Sequence, residues 1–167
     1  DGMDVFYRGG MLMEHGGQLG YFDPGGGGYI RLHMGSTYDT DLAASTELHE
    51  KFHMVLFRAT TLGLVMCLLQ FEMMLGAQDK AHIKRVENVY TVLFHRTKYV
   101  HEVYANNMEI FSTLKKKGTE SANQILSEKS PDYYKYYEAL YPLNGDLHMD
   151  DEEKMRLISK LCRYALN

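Results

Sequence analysis

The sequence has few cysteines, no long charge-free apolar run and no strong net charge, and each shortage excludes a class of protein. Its 2 cysteines, Cys67 and Cys162, form no CxxC pair and are expected to be buried thiols in a reducing, cytoplasmic compartment, with one disulfide as the alternative. The net charge of -4 gives no electrostatic reason to expect nucleic acid. The charge-free stretch 59–71 is shorter than the roughly 20 residues of a membrane span, and the first residues show no secretory signal. We therefore expect no membrane span.

The length and composition indicate one globular domain covering residues 1–167. Hydrophobic residues make up 45% of the chain and charged residues 24%, which is typical of a folded rather than a disordered chain. Most of the 15 glycines lie in residues 1–40, where short apolar bursts at 5–7 and 11–13 and the alternating segment 29–33 predict strands and turns. From residue 41 the pattern is helical. The predicted fold class is α+β, predominantly helical, with a small glycine-rich N-terminal hairpin or sheet.

Within the helical region, the sequence also predicts where helices begin and break. Threonines and a glycine predict a break at residues 60–63. The periodic run 81–117 predicts one long helix, or two that are broken near residues 96–100. Residues 118–123 are predicted to form a loop or cap. Ser130 and Pro131 predict a helix start, and Asp150 to Glu153 open a terminal amphipathic helix.

The segment that organises the chain is His49-Glu50-Lys51-Phe52-His53, which has the pattern HExxH. Residues four apart lie on the same face of a helix, so the imidazoles of His49 and His53 can bind one metal ion. Glu50 then lies beside the ion, where its carboxylate can accept a proton from a water molecule. Random placement would produce this pattern roughly 0.03 times per chain. The alternative interpretation is a polar helix face with two histidines at helical spacing.

A catalytic zinc site of this kind needs a third protein ligand, and the sequence offers two glutamates. A histidine six residues after His53 would indicate a metzincin, but that position is Ala59. Glu72 lies at a spacing often seen for glutamate ligands, yet on a continuous helix it would end roughly 28 Å from His53. Glu102 belongs to a separate helix that can pack alongside the first. The helix-length argument favours Glu102, with Glu72 as the alternative.

Two segments resemble a known enzyme class. Residues 47–53 resemble the active-site helix of gluzincin-type metallopeptidases, and residues 101–109, HEVYANNME, are similar to the NEGxAxxxE stretch of their glutamate helix. The resemblance covers about a third of the chain. Val103 stands where the family has glycine, and residues 1–167 do not include the large C-terminal peptidase domain of that family. The resemblance implies a zincin-like fold and a zinc-dependent peptidase with a protein or peptide substrate.

The same resemblance implies a role for each site residue. His49, His53 and Glu102 would bind Zn²⁺, and Glu50 would be the general base. Tyr104 is the first candidate for a donor to the developing oxyanion, ahead of two alternatives, His95 and His101. Three further residues are candidates for orienting or supporting the metal ligands: Glu87, Met108 and Glu109.

Other functions remain open at the level of sequence. The chain could be a helical interaction module that keeps the motif without hydrolysis, or a zinc hydrolase of a non-peptide substrate. Many methionines and tyrosines suggest a protein partner in a larger assembly. The strand predicted at 29–33 could bind an extended peptide along its edge, which makes residues 1–40 a candidate substrate-binding region. A purely structural hairpin is the alternative.

Overall fold

The computed structural model describes residues 20–23, 29–32, 40–75, 79–129, 131–140 and 148–167. This part of the chain is predominantly helical. Its helices are α1 (Thr40–Arg58), α2 (Thr61–Leu75), α3 (Lys80–Lys117), α4 (Thr119–Glu128), α5 (Pro131–Glu138) and α6 (Asp151–Ala165). The predominance of helix after residue 40 agrees with the sequence prediction. The predicted strands at 5–7 and 11–13 lie outside the described residues.

The β structure described is one short antiparallel ribbon. Strand β1 (Gly20–Asp23) pairs with β2 (Tyr29–Leu32), with Gly20 opposite Leu32 and Asp23 opposite Tyr29. The ribbon lies against α1. The last residue of the predicted strand 29–33 lies outside the described residues. Among the described residues, the β contribution to the fold is therefore limited to this pair.

Helices α1 and α2 meet at a sharp bend in the segment where the sequence predicts a break. Their axes are bent by 92°, and the Thr60 hydroxyl accepts a hydrogen bond from the Gly63 amide at 3.3 Å. A Cβ atom on Gly63 would lie 1.9 Å from the carbonyl oxygen of Phe57. Only glycine allows α2 to approach the last turn of α1 this closely. The predicted break is confirmed.

The long helix α3 is the centre of the fold, because α1, α2, α4, α5 and α6 all contact it. It has 38 residues and is about 57 Å long. Asp79 begins it by accepting hydrogen bonds from the amides of Ala81 and His82. The helix is continuous through residues 96–100, where the sequence left a break open. Every residue from 102 to 113 is buried, so this segment of α3 is covered on all sides.

Two apolar clusters hold the helices together. The larger cluster joins α1, α3 and α6, and its buried members are Leu56, Tyr104, Met108, Phe111, Ile158, Cys162 and Leu166. The smaller cluster joins the end of α1 to α2 and α3 through Phe57, Met66 and Tyr90. Both cysteines are free thiols. The core therefore holds α1 against the buried segment of α3, residues 102–113.

The remaining helix boundaries follow local signals, with one exception. Pro131 begins α5, and Asp150 caps α6 through a reciprocal pair of hydrogen bonds with Glu153, so both predicted starts are confirmed. The prediction of a loop or cap at residues 118–123 is confirmed only as a cap at Gly118, since α4 begins at Thr119. The reason is Gly118, which has φ 85° and ends α3 in a single residue.

No single helix among the described residues has both the length and the apolar composition needed to cross a membrane. The segments Ala44–Arg58 and Thr61–Leu75 meet those two criteria only when taken together, across their 92° bend.

Candidate metal site

Helix α1 brings the two histidines of the HExxH motif together. His49 is buried and His53 is half-buried, and their Nε2 atoms are 3.0 Å apart. Their rings meet edge to face, with centroids 4.7 Å apart. This arrangement follows from the spacing of four residues on one helix, as the sequence predicts.

Glu102 on α3 completes a group of three ligand atoms. Its Oε2 atom lies 3.6 Å from His49 Nε2 and 3.8 Å from His53 Nε2. A point equidistant from the three atoms lies about 2.0 Å from each, which is the usual length of Zn–N and Zn–O bonds. The side chains of His49, His53 and Glu102 are therefore already spaced to hold one metal ion.

The chemistry of Glu102 also fits a cation. Its Oε2 atom is buried and makes no hydrogen bond in the described structure, although a buried carboxylate oxygen without a partner is costly. Burial raises the pKa of Glu102, but its interactions with the imidazoles of His53 and His49 outweigh this and lower it to about 2. An ionised oxygen without a hydrogen-bond donor is what a metal ion would satisfy.

The two histidines differ in protonation. Burial and the Lys129 charge lower the pKa of His49, but the carboxylates of Glu102 and Glu109, the second of which accepts a hydrogen bond from Nδ1, outweigh them and raise it to about 9. Burial lowers the pKa of His53 to about 3, against the attraction of Glu102. His53 is thus neutral at pH 7 and offers a lone pair. His49 carries a proton that a metal ion has to displace.

Glu109, two turns beyond Glu102 on α3, orients His49. Its Oε2 atom accepts a hydrogen bond from His49 Nδ1 at 3.0 Å and forms an ion pair with Lys129 Nζ at 2.7 Å. Its Oε1 atom accepts a hydrogen bond from the Ser45 hydroxyl. Burial raises the pKa of Glu109, but Lys129 and His49 lower it to about 2. A carboxylate that accepts from Nδ1 leaves Nε2 for the metal. The sequence names Glu109 as one of three support candidates.

Glu50 and Tyr133 complete the surroundings. Glu50 is buried beside His49. Tyr133 on α5 meets the His49 ring edge to face at 5.7 Å, and Lys129 Nζ lies 4.9 Å from its ring centre. Burial and the negative charges of Glu102, Glu50 and Glu109 raise the pKa of Tyr133. Its hydroxyl therefore keeps its proton and can donate.

The sequence gives no signal for Tyr133. It belongs to a group of tyrosines that the pattern assigns to core or interface, and its place beside His49 depends on how α5 packs against α3. The structure places Tyr104 in the larger apolar cluster instead, with its ring edge to face with that of Phe52. Tyr104 is thus not brought to the three ligands.

The other sequence candidates lie at varying distances from the site. The His101 ring lies 6.0 Å from that of His53, and burial lowers the pKa of His101 to about 4, so it is neutral. His95 is exposed beside Phe94. Met108 lies in the larger cluster.

Two glutamates lie away from the ligand group. Glu87 pairs with Lys84 at 3.0 Å on an exposed part of α3. Glu72 pairs with His82 at 2.9 Å, also on the surface. The structure therefore brings Glu102, and not Glu72, to the histidines.

No protein family, curated protein or solved structure matches this chain. The geometry of His49, His53 and Glu102 is that of a buried group that could hold a metal ion.

Proposed function

We propose that this chain is a zinc-dependent hydrolase of peptide bonds with a zincin-like site built on α1 and α3. The observation that carries the proposal is the triangle of His49 Nε2, His53 Nε2 and the unsatisfied Glu102 Oε2. Two imidazoles and one carboxylate form a ligand set typical of catalytic zinc. Bound there, zinc would act as a Lewis acid that polarises a carbonyl group and lowers the pKa of a coordinated water to about 7.

The chain's own residues would perform the proton transfers. Glu50 would accept a proton from the attacking water and deliver it to the leaving amine. Tyr133, kept protonated by its raised pKa, would donate a hydrogen bond to the carbonyl oxygen as negative charge develops on it. We assign this role to Tyr133 rather than Tyr104, because the Tyr104 side chain packs in the core.

The β-ribbon supports a peptide as the substrate. Among the described residues, β2 pairs with β1 alone, so within that part of the chain the other edge of β2 has no strand partner and could pair with an extended chain. The ribbon also lies against α1, the helix that carries both histidines. Adding a strand to such an edge recognises the backbone of a peptide without selecting its sequence.

A purely structural role for the motif is less well supported. Leaving a buried polar atom without a hydrogen bond costs about 1–3 kcal/mol, and in a scaffold that binds no ion only the ion pair with His49, at 3.6 Å, would offset that cost for Glu102. A hydrophobic residue at position 102 would avoid it. The unsatisfied oxygen is explained if a cation belongs to the folded protein.

Metal content tests the proposal first. Elemental analysis of the purified chain is expected to give about one zinc per chain, lost in His53→Ala and Glu102→Ala. Glu72→Ala is the matched control and is expected to keep the metal, since Glu72 pairs with His82 on the surface. A parent chain that binds no zinc after resupply at neutral pH would disprove the site. Bound iron instead of zinc would disprove the choice of metal.

Hydrolysis tests the reaction separately. Glu50→Gln is expected to keep zinc and to lose cleavage of a mixed peptide library by at least about 100-fold. A Glu50→Gln chain that cleaves like the parent would contradict the role of Glu50 as general base.

A further inference from the structure

Helix α2 is apolar on all sides, but only one side of it is buried. Its buried residues are Gly63, Met66 and Gln70. Successive residues of a helix are rotated by about 100°, which places Leu64, Leu68, Phe71 and Leu75 together on the other side. We call these four residues the apolar stripe. They are 54%, 68%, 57% and 71% exposed. Helices that are apolar all round are typically covered on every side, so the apolar stripe is expected to be covered by a binding partner.

The charges around α2 suit a negatively charged partner. The one charged residue of α2 is Glu72, which pairs with His82. Arg58, just before α2, is exposed and close enough for its charge to act on the Cys67 thiol. Arg58 therefore places one basic residue beside the beginning of α2, and the first turn of α2 carries no acidic residue.

The end of α6 adds further groups at the same place. The Leu62 amide donates to the carbonyl oxygen of Leu166 at 3.1 Å, which fixes the last turn of α6 beside the start of α2. That turn carries exposed Arg163 and Tyr164. Arginine and tyrosine beside an apolar helix face are typical of segments that lie at a membrane surface.

A second copy of the chain is the other candidate partner. The residues of the stripe are spaced four, three and four positions apart, and this spacing also suits the pairing of two helices. The size of the stripe argues against it. A helix face about 22 Å long and about 10 Å wide covers about 220 Å², whereas stable protein interfaces bury about 800 Å² on each partner. Insertion into a lipid surface has no such minimum and requires only an apolar face with basic flanks.

We propose that the apolar stripe of α2 binds the surface of an anionic lipid bilayer, with α2 lying in the plane of the interface. The 92° bend directs α1 away from the plane of α2, so the stripe can enter the lipid while the buried side of α2 stays packed on α3. The site differs from the candidate metal site and does not depend on zinc.

Vesicle co-sedimentation tests this proposal with the full chain. We expect binding to vesicles of phosphatidylcholine mixed with phosphatidylserine, and much weaker binding to phosphatidylcholine alone. Leu68→Glu and Phe71→Glu are each expected to weaken binding at least about tenfold, while Leu68→Met keeps it. Arg58→Gln is expected to weaken it about fivefold, since one basic residue near such a surface contributes about that factor.

The matched control is Tyr134→Glu, which adds the same charge at an exposed aromatic residue of α5 and is expected to leave vesicle binding unchanged. Circular dichroism checks that each variant keeps its helices. Equal binding by the parent and Leu68→Glu, or no binding by the parent, would overturn the proposal. A concentration-dependent dimer by light scattering that Leu68→Glu abolishes, without vesicle binding, would instead identify a second copy as the partner.

Discussion

Glu109 Oε2 lies 3.0 Å from His49 Nδ1, although the two residues are 60 positions apart in the chain. The contact fixes the Nδ1 edge of the imidazole ring, so the other nitrogen, Nε2, points toward His53 and Glu102. A metal ligand whose second nitrogen is held in this way needs little further ordering when the ion binds.

We expect Glu109→Gln to weaken zinc binding by about 10- to 100-fold, because the amide orients the His49 ring less firmly and lowers its basicity. Competition with a chromogenic chelator measures the affinity. Glu120→Gln, at an exposed position of α4, is the control and should bind zinc like the parent. Equal affinities for the Glu109 and Glu120 variants would show that the contact does not support the site.

Zinc affinity should also depend on pH, because binding displaces the proton from His49, whose pKa is raised to about 9. Below that value, each unit of pH is expected to increase the apparent affinity about tenfold. Isothermal titration in buffers of different ionisation enthalpy counts the protons released. About one proton released per zinc at pH 7 agrees with this protonation state, and none released contradicts it.

The stability of the metal-free chain should fall on both sides of pH 6.5. The folded pKa of His49 is raised, so its contribution is complete below its unfolded pKa of about 6.5 and is lost as pH rises to about 9. The folded pKa values of His53 and His101 are lowered to about 3 and about 4, so protonation of the unfolded chain reduces stability as pH falls below about 6.5.

Urea unfolding with a chelator present measures this profile. The loss between pH 6.5 and pH 9 is expected to be on the order of 2 kcal/mol. A His49→Gln chain should lose the alkaline decline and keep the acidic one. An alkaline decline of the same size in that variant would assign it to another group.

Gly63→Ala should destabilise the fold by more than about 2 kcal/mol, because the added Cβ atom would lie 1.9 Å from the Phe57 carbonyl oxygen. Gly118→Ala is the comparison, since its Cβ atom would meet no other atom within 4 Å but its φ is 85°. That variant should lose only about 1 kcal/mol from backbone strain. Chemical denaturation of both variants measures the difference, and equal losses would contradict the tight contact at the bend.

Tyr133→Phe should reduce kcat for peptide cleavage by about 100-fold while zinc content stays unchanged, because the variant lacks the donor to the oxyanion. Tyr104→Phe is the control, since the Tyr104 ring packs in the larger apolar cluster against Phe52. The control should lose some thermal stability and keep most of its kcat. The reverse result, with kcat lost only in Tyr104→Phe, would restore Tyr104 as the donor.

The features that the sequence determines by itself depend on residues close together in the chain. The spacing of His49 and His53, the break after α1 and the capping of α6 by Asp150 each involve residues at most four positions apart, where helix geometry leaves little choice. Of the loop or cap predicted at 118–123 only the cap formed, because one glycine with positive φ replaced a longer connection.

Only the tertiary structure decided what meets the two histidines. Sequence patterns favoured Glu102 over Glu72 by helix length, but the approach of Glu102 depends on α3 packing against α1. The places of Glu109, Lys129 and Tyr133 depend on the same packing and on that of α5. Such contacts join positions tens of residues apart. Hydrophobic burial between the helices packed around α3 determines which of these contacts form, and a local sequence pattern does not reveal it.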